Sequence, residues 1–378
     1  MRIIDRYLLR QFLQTFLICF LSLTGIYVVF DAFTNLEAFL RFARGSQLFK
    51  VIGTFYAFQS IYFFDRISSL LVLMSAMFTV AWIQRHNEMT ALMAAGVSRI
   101  RIVAPVIVAA AAIAVLSAAN RELLIPRCKD ELAMRPADLH GHSGQELYPQ
   151  YDNETDVLIR GKLVFPNELR IEKPDFLMPP ALGDYGKQWT AENACYQPPA
   201  AGRPGGYLLT DIREPKNVQN KPSLSLDGKP VILTPRDRPD WLKPSQAFIV
   251  SNVTFDQLNG GQTFRSFAST VEMIRALRNR SLDFGADIRV AIHSRIVQPL
   301  LDITLLFLGL PLVVSRESRN VFVAIGLCMG VVTLFLSLQI GFQQLGASSL
   351  MDPALAAWAP LILFVPAAVA MSHSMWQR

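Results

Sequence analysis

Apolar residues in this chain gather into six long runs, three before and three after a polar stretch covering residues 120–292. The first run, Phe12 to Phe33, has Asp31 as its only charge, near its far end. A membrane-crossing helix needs about 20 mostly apolar residues, so this run predicts a span. Its basic flank of Arg2, Arg6 and Arg10 mimics a signal peptide, yet the apolar stretch outruns the usual h-region and no A-x-A site follows. An uncleaved anchor fits it better. The second run, Val51 to Ile83, is broken by Asp65-Arg66. Counting about 20 residues back from Ile83 reaches Phe64, which places the charged pair near the opposite bilayer face. There Arg66 can snorkel, and Asp65 can pair or stay hydrated. Ile102 to Ala119 makes the third span, with Pro105 in its first turn, where proline is tolerated. Ile296–Val314, Val321–Leu345 and Ala354–Met371 complete the set.

The polar stretch has another rhythm. Short β-like runs alternate with Pro/Gly punctuation: Asp156–Phe165, Gln188–Tyr196, Gly206–Ile212, Val231–Thr234 and Ala247–Phe255. Such spacing predicts an all-β sandwich, jelly roll or curved sheet. QPPAAGRPGG and the proline-dense Pro215–Pro244 read as loops, whereas Ser269–Asn279 turns helical, with Ser269 or Thr270 as its cap. The fold expected is an α-helical membrane protein of six transmembrane helices (3+3) with an inserted all-β, jelly-roll-like domain. Its parts are residues 1–119, 120–292 and 293–378.

Charge adds the orientation. Only 17% of residues are charged, against about 25% in soluble proteins. The net charge is +6, but residues 120–292 hold 22 Lys+Arg and 22 Asp+Glu and so contribute nothing to it. No basic stripe with interleaved aromatics appears there, which argues against nucleic acid as a partner. With the N-terminus inside, the cytoplasmic segments hold Arg2, Arg6, Arg10, Arg85, Arg99, Arg101, Arg316, Arg319 and Arg378, against Arg41, Arg44 and Lys50 in the short outer loops. That asymmetry places both termini in the cytoplasm and the large domain across the membrane.

Several chemistries have no carrier in the sequence. There is no G-x-x-x-x-G-K-[ST] loop for ATP, and His140 and His142 lack the further ligands a metal needs. Gly141-His142-Ser143-Gly144 is followed by Gln145 where a nucleophile elbow needs glycine. No catalytic residue, metal or cofactor is expected. Cys128 and Cys195 fall in the polar stretch, either as a disulfide or as two free thiols.

The connector QRHNEMTALMAAGVSRIR, residues 84–101, turns helical over about 87–95. Asn87 suits the N-cap, Glu88 the positive end of the dipole, and Gly96 the C-terminal stop. Met89, Leu92 and Met93 share one side. Two readings are open: an amphipathic connector lying on lipid, or a coupling helix offered to a cytoplasmic partner.

With IIDRYLLRQFLQTF, EMTALMAAGVS, HSRIVQPL, GLPLVVSRESRN, the 346–353 loop and Trp358-Ala359-Pro360 in this order, the chain resembles the lipopolysaccharide-export permeases LptF and LptG. In the polar stretch the likeness is limited to LRIEKPDF, TAENACYQ and STVEMIRAL in the expected order. The resemblance implies a multi-pass inner-membrane subunit with a periplasmic β-jelly roll. It also implies a second related permease, an LptB-like cytoplasmic ATPase dimer, and LptC-like and LptA-like bridge proteins. Glu88 matches the acidic residue of the helix that enters the ATPase groove, so Glu88, Met89, Leu92, Met93 and Gly96 are the expected coupling residues. ATP hydrolysis would belong to the partner.

Lipid A joins phosphates to acyl chains, so its site needs cations above an apolar cavity. Arg41, Arg44 and Lys50 follow the first span and can supply them, or they anchor the chain at the interface by snorkelling. Arg66 and Asp302 are further candidates. Asp302 sits inside the fourth span, where a carboxylate is costly, and it either faces Arg66 or His293, lines the cavity, or is hydrated at the interface. Pro299, Pro311, Pro360 and Pro366 are expected to kink or start helices. An alternative is a membrane-anchored periplasmic binding or assembly module without transport. A third is an ATPase-linked permease using force transmission, though such proteins usually carry the external domain between their first two spans.

Overall fold

All six apolar runs are helical in a computed structural model of the chain. The structure describes residues 3–42, 46–134, 136, 144–147, 149–165, 168–200, 203–226, 228–238, 240–258, 261–279, 281, 285–314 and 321–376. Before the polar stretch come α1 (Ile3–Thr34), α2 (Leu36–Phe42), α3 (Ser46–Arg85), α4 (Glu88–Ala94) and α5 (Arg99–Ala119), and α6 (Ile125–Arg127) and α7 (Lys129–Ala133) continue from them into it. Within it lie α8 (Phe255–Leu258), α9 (Gly261–Phe267) and α10 (Thr270–Leu277), and the chain closes with α11 (Ala286–Val314), α12 (Val321–Ala347) and α13 (Pro353–Trp376). By length and composition, six of these can cross a membrane: Ile3–Thr34, Gln47–Arg85, Arg99–Arg127, Ala286–Val314, Gly326–Ala347 and Pro353–His373.

Chain contacts separate a helical unit, residues 1–132 with 285–378, from a β unit, residues 133–284. The division falls later than 119 and earlier than 293 because the helices outrun their apolar stretches. A π-helical turn, Asn120–Leu124, carries the third span on into α6, and α11 starts well before Ile296. Pro105 accordingly lies inside α5 rather than in its first turn. Pro299, Pro311, Pro360 and Pro366 are likewise all internal, and none of them starts a helix.

In the helical unit, α3, α5 and α11 are central. Leu71, Leu73, Val80, Ile102, Val106, Leu301, Leu305 and Leu310 are all buried in one core, joined by Leu8, Phe12 and Phe16 from the first half of α1. Gly309 lets three helices close up. A Cβ there would stand 2.5 Å from Leu73 Cδ1 and 3.0 Å from Cys328 Sγ. An aromatic seam joins α1 to α3, with Phe20 edge-on to Phe64 at 5.7 Å and Tyr27 stacked on Phe63 at 4.8 Å. The outward sides of α1 and α12 stay apolar and exposed, as at Ile18, Leu21, Phe30, Leu334 and Ile340.

Among the described residues, the β unit forms one antiparallel sheet of eleven strands. They are β1 (Gln145–Glu146), β2 (Gln150–Asp152), β3 (Val157–Arg160), β4 (Leu163–Phe165), β5 (Arg170–Glu172), β6 (Asp175–Leu177), β7 (Gln188–Gln197), β8 (Gly206–Glu214), β9 (Leu224–Leu226), β10 (Lys229–Leu233) and β11 (Gln246–Val250). The first six are halves of three longer strands. The register pairing Leu158 with Leu177 continues to pair Leu163 with Glu172, across a break at Gly161-Lys162 on one side and Lys173-Pro174 on the other. Pro174 has no N–H to give, and Lys173 takes a left-handed φ of 47°, so the strands break at one level, and such interruptions bend a sheet. Beyond β8 the order β8-β11-β10-β9 is a Greek key. Trp189, Tyr207 and Phe176 fill the interior, and the buried Tyr207 hydroxyl donates to Val253 O at 2.9 Å. The fold class is therefore as the hydrophobic pattern indicated: six candidate spans with an inserted all-β region.

Most strand bounds differ by one or two residues, and two differ more. The run ending at Phe255 stops being a strand at Val250, and β9 lies in the proline-dense stretch otherwise read as loop. Ser269 does cap α10, in a capping box in which its Oγ accepts from Glu272 N and the Glu272 carboxylate accepts from Ser269 N. All four cysteines are free, and Cys128 belongs to the helical unit rather than to the β unit. Burial pushes the Cys195 thiol pKa up. His140, His142 and the segment Gly141–Ser143 lie outside the described residues.

Candidate functional site

The connector between the second and third spans folds as the seven-residue α4, and its ends are made differently. Its C-terminus is a Schellman turn. Gly96 takes φ 81°, its N–H reaches Met93 O at 2.9 Å, and Val97 N–H reaches Leu92 O at 3.0 Å. Its N-terminus departs from expectation. Asn87 is left-handed at φ 58° and its side chain caps nothing. What meets the first turn is Tyr7 of α1, whose hydroxyl donates to both Glu88 oxygens at 3.2 and 3.1 Å. Arg101 approaches Asp5 at 3.8 Å, so the start of α1 touches both the beginning of α4 and the beginning of α5.

The apolar side of α4 faces inward. Met89 is 4% exposed, and Leu92, Met93 and Val97 pack against the same core. Arg99, itself buried, donates from Nε to Met93 Sδ at 3.2 Å. The exposed side is Thr90, Ala91, Ala94, Ala95 and Gly96. Of the residues expected to meet a partner, Glu88 and Gly96 are accessible, while Met89 is core. Its periodicity was visible in the sequence, but the direction it faces was not. The exposure of Thr90, Ala91, Ala94 and Ala95 was not legible in the sequence, because small residues give no amphipathic signal.

Near the end of α1, Asp31 accepts from Tyr56 Oη at 2.7 Å, and Phe39 of α2 is buried against Phe55 and Tyr56. This packing fixes α2 and leaves Arg41 outside, where it pairs with Glu37 at 2.6 Å, both side chains exposed. Lys50 is exposed on the first turns of α3, and Arg44 lies outside the described residues. Arg66 is exposed sixteen residues further along the same helix, about 24 Å at 1.5 Å per residue, and donates to Tyr62 Oη at 3.1 Å. The structure therefore does not bring Arg66 together with Lys50.

Asp65 is paired, with Arg121 Nε 2.9 and 3.1 Å from its two oxygens. Phe64 beside it packs on Phe16 and Phe20, within the apolar run of α1, so this pair lies inside the bundle rather than beyond that run's far end. The π-turn presents Arg121 to Asp65 and Glu122 to Arg295, the latter at 3.9 Å. Asp302 meets neither Arg66 nor His293. It accepts from Ser69 Oγ at 2.6 Å and Gln298 Nε2 at 2.8 Å, because α11 packs its middle on α3.

Comparison with protein families matches residues 6–139 and 186–374 to the lipopolysaccharide export system permease LptF/LptG. No curated protein matches the chain. The matched residues take in most of the chain, including α4, five of the six candidate spans and all but the first three residues of the other, so the chain belongs to the LptF/LptG family of lipopolysaccharide export permeases.

Proposed function

We propose that this permease is the membrane-spanning half of an ATP-driven export machine. It draws lipopolysaccharide from the outer leaflet of the inner membrane and passes it through its β unit toward a periplasmic bridge of LptC-like and LptA-like proteins. Lysine and arginine asymmetry in the short loops supports cytoplasmic termini and a periplasmic β unit. Energy comes from a separate LptB-like ATPase dimer, with a second related permease completing the membrane part.

The observation that carries this reading is the geometry of α4. It is a short helix between two spans, anchored by Met89 in the core and tied to α1 through Tyr7 and Glu88. Its outer side of alanines, a threonine and a glycine is narrow enough to enter a groove on the ATPase. Movement imposed there reaches the first span through the hydroxyl–carboxylate contact. Lipid A phosphates are met by Arg41, Arg44 and Lys50, with Arg66 further along α3. The Arg41–Glu37 pair is exposed and worth only about 0.3–0.5 kcal/mol, so a phosphate can displace Glu37.

Purification of the tagged chain in mild detergent tests the assembly. An ATPase dimer and a second six-span permease are expected to come with it. A clean monomer carrying neither would favour the anchored-module reading instead.

A further inference from the structure

Polar side chains from both three-helix halves meet inside the helical unit, where apolar packing would ordinarily serve. Asp302 of α11 accepts from Ser69 of α3 and from Gln298, and Gln298 Oε1 accepts from Gln339 Nε2 of α12 at 3.1 Å. Ser68 and Ser117 share a 2.9 Å hydrogen bond between α3 and α5. Asp65–Arg121 and Glu122–Arg295 lie on the same faces of α3 and α11, and three of those four side chains are less than a fifth exposed. A recess against Ser68, Ser69 and Asp302 has room for about one water molecule. It is too small for an acyl chain or a sugar phosphate.

A carboxylate is expensive in a bilayer and is retained where something depends on it. Its partners here are donors from the protein, and they belong to helices far apart in sequence. We infer that Asp302 is a positioning residue. It fastens α3 to α11, one helix from each half, and through Gln298 and Gln339 it extends the fastening to α12. The two halves then keep one register while glycolipid moves past them. Asp302 works by accepting hydrogen bonds, and the carried lipid is not its partner.

The test uses the complete complex in liposomes, with ATP-driven lipopolysaccharide release as the readout. That readout rests on the export reading, and a wild-type complex that releases nothing faults export rather than the fastening. Asp302→Leu removes the acceptor, and release should fall about tenfold with the complex intact. Asp302→Asn keeps an oxygen for Ser69 and should retain at least about a third of the rate. Ser69→Cys combined with Asp302→Cys should be slow when reduced, and should recover when the thiols are oxidised or joined by a short bifunctional reagent. Because the pair is read before and after joining in one sample, the comparison holds even where Asp302→Leu fails to accumulate. Wild-type release by Asp302→Leu would overturn the inference. So would an Asp302→Asn variant as slow as the leucine form, or a joined pair that stays slow, since each would show the carboxylate acting on something other than Ser69.

Discussion

The hydroxyl of Tyr7, near the start of the first span, donates to both carboxylate oxygens of Glu88, the first residue of α4. The two residues are 81 positions apart, and their contact ties the start of the first span to the start of the connector helix. A hydrogen bond to a charged acceptor contributes about 1.5–3 kcal/mol, and this exposed one belongs at the low end. Tyr7→Phe should leave the protein folded and assembled with its ATPase, yet lower lipopolysaccharide release per ATP hydrolysed. Parallel assays of hydrolysis and release check this, and an unchanged ratio would show that the contact carries no movement.

Glu88→Lys reverses the charge at that contact and at the positive end of the helix dipole. Loss of copurifying ATPase and failure to support growth are the expected outcomes. Full copurification with normal growth would remove Glu88 from the coupling role.

The two sides of α4 should separate in mutagenesis. Met89→Ala opens the core and should cost about 2–5 kcal/mol, seen as a lower melting temperature in detergent. Ala94→Trp adds bulk to the exposed side and should leave melting unchanged while blocking ATPase binding. If both variants melt normally and both bind, α4 does not dock by its outer side.

Arg41→Glu together with Arg44→Glu places two carboxylates where phosphates are expected. Photocrosslinking of lipopolysaccharide to this subunit should disappear, with the complex still assembled. Undiminished crosslinking would leave these cations the bland role of anchoring the chain at the interface.

In the β unit, Glu154 accepts hydrogen bonds from Lys229, from Asn252 at 2.7 Å and from Ser281 at 3.3 Å, and these hold its carboxyl below the usual carboxylate range. A carboxyl lowered in the folded state stabilises above its unfolded pKa and loses that contribution as pH falls through the lowered value. Protection of the β2 and β11 amides in the intact protein, measured against their intrinsic exchange rates at each pH, should therefore fall from about pH 5 downward. Glu154→Gln should flatten that dependence and make exchange faster at pH 7. An identical pH profile in the variant would show that Glu154 is not the group involved.

Local features were legible in the sequence and distant pairings were not. The capping box of Ser269 and Glu272 spans three residues and could be anticipated, as could the turn at Gly96 and the six apolar runs. Asn87 has the right chemistry for a cap, but Tyr7 takes the carboxylate and the backbone turns left-handed instead. Of the three long strands of the β unit, Asp156–Phe165 reads as one β-like run, whereas the break at Lys173-Pro174 interrupts LRIEKPDF, which does not read as a strand. Asp302 announced itself as a costly charge, yet Ser69 lies 233 positions away, and no pattern along the chain could point to it.

The central claim is that glycolipid moves through this chain only when a separate ATPase works. Reconstituting the chain with its copurified partners in liposomes holding lipopolysaccharide, and counting lipid transferred to an acceptor bridge protein, tests it directly. Transfer should require ATP and should stop with Glu88→Lys. Transfer that proceeds equally without ATP, or none from a complex that hydrolyses ATP and holds both permeases, would contradict the account.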